Sequence, residues 1–164
     1  MNAPAAPTAF AALRASRLAA ELTDEQCRTL AAVIKLRELA DGEVLVHEDT
    51  SDTHLYVLIA GSLAVARGAG KADELTLFSL NPGDLIGEMS FLDDTVHYAS
   101  VISRGTSRVF GLERAQLESL LEHEPLIVYR VMRAIVRTVH KVQRRLSAQA
   151  AELSNYIYKQ HGRY

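Results

Sequence analysis

Leu85-Ile86-Gly87-Glu88-Met89-Ser90-Phe91, with His97-Tyr98-Ala99-Ser100-Val101 beginning ten residues after the glycine, is the segment on which the reading of this chain turns. It stands between two short runs rich in Val, Ile and Leu, 74–80 and 98–103, and just behind the turn residues Asn81-Pro82-Gly83. Further runs of that kind cover 34–39, 43–47, 55–60, 62–67 and 107–112, punctuated by Asp41-Gly42, Gly61, Gly68, Gly70 and Gly105. Apolar alternation between turn formers marks half-buried strands. Many short strands with regular turns predict two sheets that share an inner face, as a sandwich or jelly roll.

Helical patterns frame this region. Thr23-Asp24-Glu25-Gln26 is a capping box, Thr at the cap and Gln three residues on, and it predicts a helix over 24–33. After Glu113 the period turns helical again, with Leu117, Leu120 and Leu121 on one stripe of a short helix ending near His123. Pro125 suits the first turn of the next helix, where a missing N–H costs nothing. From there to Lys159 the chain has no Gly and no further Pro. Val128, Met132, Ile135, Val139, Val142 and Leu146 recur in steps of four and three, and Ala150, Leu153 and Ile157 continue the stripe. Such a helix extends about 50 Å, more than a small domain covers alone. Its repeat is that of a coiled-coil seam, so a homodimer through this helix is expected. The expected organisation is an N-terminal arm and short helix over 1–22, a β-roll over 23–123 and a long C-terminal helix over 124–160. A disordered tip is expected around Pro4 and Pro7.

The 164 residues, 48% of them apolar, suffice for one core and a long helix but hardly for a second domain. The net charge of -2 hides an asymmetry: 125–164 carries eight basic residues against Glu152 alone, which leaves the rest of the chain acidic. Cys27 is the only cysteine, which excludes an internal disulfide and any multi-cysteine metal centre. No apolar run approaches the roughly 20 residues that span a bilayer. The start is Ala-rich and acid-free, and its composition would suit a transit peptide, but Arg14 and Arg17 interrupt the apolar stretch a secretory signal needs. A cytoplasmic protein without a membrane span is expected.

Gly42 with Glu43-Val44-Leu45, Tyr56 ahead of Gly61, and Pro82-Gly83-Asp84 before Gly87-Glu88 form an ordered set. Over 20–160 the chain resembles the cyclic-nucleotide-binding domains, the sensor fold of catabolite activator protein-like regulators, cyclic-nucleotide-dependent kinases and gated channels. The resemblance implies a mainly β fold with flanking helices: a double-stranded β-helix, or jelly roll, followed by a long dimerisation helix. It also implies that Gly87-Glu88 opens a phosphate-binding cassette. Gly87, Glu88, Met89, Ser90, His97, Tyr98 and Ser100 would line the ligand, and the long helix would close over the base near Gln143, with Thr138 and His140 close by. In the family an Arg grips the cyclic phosphate where His97 stands here, and a small residue is usual where Tyr98 stands.

The cassette has a physical logic. A helix opening at Gly87 would point free N–H groups and its positive dipole end at the single negative charge of a cyclic phosphate. Glycine lets the backbone approach without a Cβ. By resemblance, Glu88 would accept a hydrogen bond from the ribose 2′-hydroxyl; a carboxylate satisfied by nearby backbone N–H groups is the plainer reading. Arg would give a permanent charge and a planar fork, whereas His has one arm and a reference pKa near about 6.5. Losing a bidentate charged contact is worth about two to three orders of magnitude in affinity. The Tyr98 ring would crowd the phosphate or its hydroxyl would replace part of the contact. Three readings of His97 stay open: pH-sensitive cyclic nucleotide binding, a different anionic ligand, or a vestigial pocket.

The remaining function classes are narrowed by what is missing. Only five residues follow Lys159, so no helix-turn-helix and no sequence-specific DNA reading are expected. The basic residues of the long helix read as a solvated face, with contact to nucleic acid or to an acidic protein as the alternative. Gly42, His47, His54 and Gly61 loosely echo a metal-binding cupin, but the paired His-x-His is absent, and His47 and His54 read as surface residues around the turn Asp49-Thr50-Ser51-Asp52. No catalytic constellation, metal or cofactor is expected. The sequence reading is a non-catalytic, ligand-controlled dimeric sensor acting on an unidentified protein partner. Its alternative is an interaction module of the same fold with no nucleotide.

Overall fold

A computed structural model of the chain describes residues 8–161. The disordered tip expected around Pro4 and Pro7 lies outside the described residues. Eight strands follow one another: β1 (Lys35–Leu39), β2 (Val44–Val46), β3 (His54–Ala60), β4 (Leu63–Arg67), β5 (Leu75–Leu80), β6 (Leu85–Ile86), β7 (Ser100–Ser103) and β8 (Ser107–Glu113). They form two four-stranded sheets in the orders β1-β8-β3-β6 and β2-β7-β4-β5. All pairings are antiparallel. Neighbours such as β1-β8 and β2-β7 are distant in sequence, the crossing pattern of a jelly roll.

The alternation in β3 shows how two cores arise. Leu55 and Val57 belong to a cluster with the helices, whereas Leu58, one step out of phase, packs inside the roll with Leu39, Leu63, Ile86 and Val109. Successive side chains point to opposite faces, so a single strand feeds both cores. The short β6 pairs with β3 at Tyr56 and Val57. Only two residues long and inside the decisive segment, it is absent from the strand pattern read from sequence.

The helices are α1 (Ala9–Arg14), a 3-10 turn (Arg17–Ala19), α2 (Asp24–Ala31), α3 (Glu88–Asp93), α4 (Arg114–Glu118) and α5 (Pro125–His161). The Thr23 capping box is present in both directions: the Gln26 N–H donates to Thr23 Oγ1 at 3.2 Å and the Thr23 N–H to Gln26 Oε1 at 3.1 Å. The helix expected up to His123 stops at Glu118, with Leu117 buried and Leu121 exposed.

α5 is as long as its composition implied, but its apolar stripe has two fates. Ile127, Val131 and Ile135 are fully buried, and Val128, Met132 and Val139 are partly buried against the same core. Burying each large side chain contributes about 1.5–3 kcal/mol. The first half of the expected seam therefore lies on the chain's own roll and N-terminal helices. Arg130 donates to Gln26 at 2.6 Å, Arg133 reaches Glu21 at 3.6 Å and Arg137 also pairs with Glu21, which fastens α5 to the N-terminal arm. Beyond this region Leu146 and Leu153 are exposed. No helix among the described residues is long and apolar enough to cross a membrane.

Candidate functional site

Three segments meet at the start of α3. The first is Gly87, which caps α3 in the left-handed region with φ 81°. A Cβ there would lie 3.0 Å from the His54 carbonyl oxygen and 3.7 Å from His97 Cε1. Only glycine fits without strain, so the sequence fixes both the turn and the close approach. α3 then closes with a Phe91 N–H bond to the Gly87 carbonyl at 2.9 Å, drives Phe91 into the core and ends at Asp94, again left-handed. Arg114 holds that end through Asp94 at 2.7 Å and the Phe91 carbonyl at 3.3 Å.

The second segment is the strand entry at His97. Its N–H donates to the Thr50 carbonyl at 2.7 Å and its carbonyl accepts from the Asp49 N–H at 2.8 Å. The imidazole is 9% exposed, and Nε2 has no hydrogen-bond partner among the described residues. Asp52 Oδ2 is 3.6 Å away, within ion-pair range and beyond a hydrogen bond. A buried polar atom left so costs about 1–3 kcal/mol.

The third segment is the β2–β3 loop, whose residues Asp49-Thr50-Ser51-Asp52 read in sequence as a plain turn. The Asp52 N–H donates to Ser90 Oγ at 2.8 Å, and Ser90 Oγ donates to the Asp52 carbonyl at 2.7 Å. The Glu48 N–H donates to Ser100 Oγ at 2.9 Å. The hydroxyls of Ser90 and Ser100, expected to face a ligand, are thus buried and bonded to the loop backbone. Asp52 Oδ1 accepts from the His54 N–H at 2.8 Å, which fixes the carboxylate beside His97. Nothing in the linear sequence signals this pair, because Asp52 reads as an ordinary loop acid.

The other expected residues are placed less uniformly. Glu88 is half-buried; desolvation raises its pKa, opposed by its own backbone N–H and by His97. Tyr98 is 62% exposed, its pKa raised by desolvation and by the Glu88 charge, which puts it on the Glu88 side of the site. Met89 is half-exposed at the rim. Gln143 is exposed on α5, a turn beyond Val139, and no hydrogen bond among the described residues joins it to the cassette. His47 is exposed as expected. His54 is not a plain surface residue: it is half-buried at the start of β3, its ring stacked on Tyr56 with centroids 5.6 Å apart. A cleft of about 170 Å³ opens beside that stack, lined also by Lys35, Arg37, Gly111 and Glu113. No group of side chains suited to a metal ion occurs among the described residues.

A left-handed glycine, an adjoining half-buried carboxylate and a buried imidazole meet at this one turn. Residues 36–124, which contain all three, match the family model described as "Cyclic nucleotide-binding domain". The chain belongs to the cyclic nucleotide-binding domain family. Within it, the chain is 30% identical over 132 residues to the Pycsar effector protein PaPycTIR of Pseudomonas aeruginosa, covering 80% of this chain and 41% of that protein. It is 24% identical over 140 residues to the cyclic AMP receptor protein of Thermus thermophilus, covering 85% of this chain and 65% of that one. Among solved structures, the N-terminal domain of a transcriptional regulator from Streptomyces coelicolor A3(2) superposes with a TM-score of 0.68 at 29% identity, covering 82% of this chain and 94% of that one. This cyclic nucleotide-binding domain thus spans only part of the two named relatives.

Proposed function

We propose that this domain is a non-catalytic sensor whose cassette binds a cyclic nucleotide, with His97 in the phosphate-gripping position. The observation that carries the reading is the His97 Nε2 atom, nine-tenths buried, without a hydrogen-bond partner among the described residues, beside a turn that only glycine fits. An unmet buried polar group at a functional turn is where a ligand atom belongs. Glu88, half-buried against the pull of desolvation, suits a ribose hydroxyl donor. The Thermus relative is a cyclic AMP receptor protein, which makes cyclic AMP the first ligand to test.

Met89, Tyr98 and Gln143 remain rim and lid positions for the base in this reading, and Ser90 and Ser100 act by holding the cassette to the loop. The exposed distal stripe of α5, with Leu146 and Leu153, suits pairing with a second copy. Ligand binding would then bias how the roll sits against α5, by no more than its differential affinity for the two arrangements.

The test is calorimetric titration of cyclic AMP, cyclic GMP and a cyclic dinucleotide at about pH 6 and about pH 8, where an unperturbed imidazole changes charge. The native protein and His97→Arg are titrated side by side. Binding by the native protein that weakens at the higher pH supports a sensor charged through His97. Binding by His97→Arg alone means a sound pocket without its phosphate anchor. Silence from both rejects the sensor and leaves the interaction module. That second reading is favoured by the Ser90 and Ser100 hydroxyls, which are bonded to the loop.

A further inference from the structure

We propose that Asp52 sets the affinity of the cassette, because its carboxylate competes with the ligand's phosphate for the His97 imidazole. The inference rests on the cyclic nucleotide reading of the site. Asp52 Oδ2 stands 3.6 Å from Nε2, the atom a phosphate oxygen would need to reach. One imidazole arm serves one acceptor well, so two anions at that atom must share it or displace each other.

The carboxylate is not free to swing clear. The Asp52 backbone is held in both directions by Ser90, at 2.8 and 2.7 Å, and Oδ1 is held by the His54 N–H at 2.8 Å. Turning Oδ2 away from His97 breaks the His54 bond. Ser90 lies in α3, so the residue that completes the cassette helix also presents the competing acid. The other charged group facing this pocket is Glu88, at the start of α3, and Tyr98 borders it. Two ionised carboxylates around one imidazole leave the empty pocket negative, whether the imidazole is charged or neutral. The pair therefore opposes phosphate entry whether His97 is neutral or charged. When it is charged, Asp52 attracts the same imidazolium that the phosphate would need.

The consequence is a pocket tuned to weak binding by an internal acid as well as by the absence of arginine. Asn at this position keeps the shape and the Oδ1 acceptor for the His54 N–H while removing the charge. The experiment uses the whole chain as native protein, Asp52→Asn, His97→Arg and the double variant. Each is titrated with cyclic AMP and cyclic GMP, and the His97 ring resonances are recorded by NMR without ligand. Asp52→Asn is expected to bind about ten- to a hundredfold tighter, a shift of one to two factors of ten in Kd. The Nε2 resonance of His97 is expected to move in Asp52→Asn, since the carboxylate 3.6 Å away is gone. Equal or weaker binding by Asp52→Asn, in a native protein that binds, overturns the competition. If no variant binds either nucleotide, the sensor reading falls, and the His97 ring then decides for Asp52 alone: a moved Nε2 resonance supports the pair, and an unchanged one refutes it. Asp52→Ala, which also loses the His54 cap, repeats the comparison should the asparagine hydrogen-bond to Nε2 in its own right.

Discussion

The two walls of the cassette are held by the same loop yet answer to different constraints. On one wall, Gly87 adopts φ 81° and leaves no room for a Cβ beneath the His54 carbonyl. On the other, His97 enters a strand through backbone bonds to Thr50 and Asp49, contacts that any residue can make. The loop fastens both, through Ser90 on the first wall and Ser100 on the second. The first wall is therefore written into the backbone, whereas the backbone bonds of the second do not depend on the imidazole that stands there.

The comparison breaks most sharply at Gly87. Gly87→Ala places a residue with a side chain at positive φ and a Cβ 3.0 Å from a carbonyl oxygen. Strain of that kind costs about 1–3 kcal/mol, and at about 2–4 °C per kcal/mol for a chain of this size the thermal midpoint should fall by several degrees. Differential scanning calorimetry reads it. His97→Ala serves as the partner variant and should change stability less, because it removes an unmet Nε2 along with some packing. A larger loss at His97 than at Gly87 would invert the assignment of the walls.

Next come the two serines. Ser90→Ala leaves both the N–H and the carbonyl of Asp52 without their partner, whereas Ser100→Ala orphans only the Glu48 N–H. An unmet buried group costs about 1–3 kcal/mol, so urea unfolding should show Ser90→Ala the more destabilised of the two. Equal losses would mean that the loop relaxes to water at Asp52, and that it presses less firmly on the first wall than on the second.

How much of this was legible follows the same division. Patterns local in sequence survived: the Thr23 capping box, the positions of most strands between their turns, the extent of α5 and the Gly87-Glu88 turn are all set by neighbours a few residues apart. The two residues of β6 did not stand out, because Leu85 and Ile86 are too few to show a period and exist as a strand only by pairing with β3. The seam of α5 was legible as apolar but not as shared, since helical spacing does not say whether Ile135 meets a second copy or its own roll. Asp52 was missed for a related reason. Its meeting with His97 is made by two sheets folding over one another, and a loop acid carries no mark of the histidine it will face.

The smallest effect concerns Glu88, and its sign is the informative part. Desolvation raises this carboxyl's pKa in the folded protein, ahead of the lowering by its own backbone N–H and by His97. The folded state therefore holds the proton to higher pH than the unfolded chain does. Stability falls as pH rises from the ordinary carboxylate range through the raised value, and stays lower above it. Glu88→Gln mimics the protonated acid and should raise the thermal midpoint near about pH 7, with the gain vanishing near about pH 4, where both states are largely protonated. The same variant should weaken nucleotide binding if the carboxylate takes the ribose hydroxyl. A neutral-pH midpoint below that of the native protein would mean that the Glu88 charge gains more from His97 than burial costs it. The two walls would then be joined by charge as well as by their common loop.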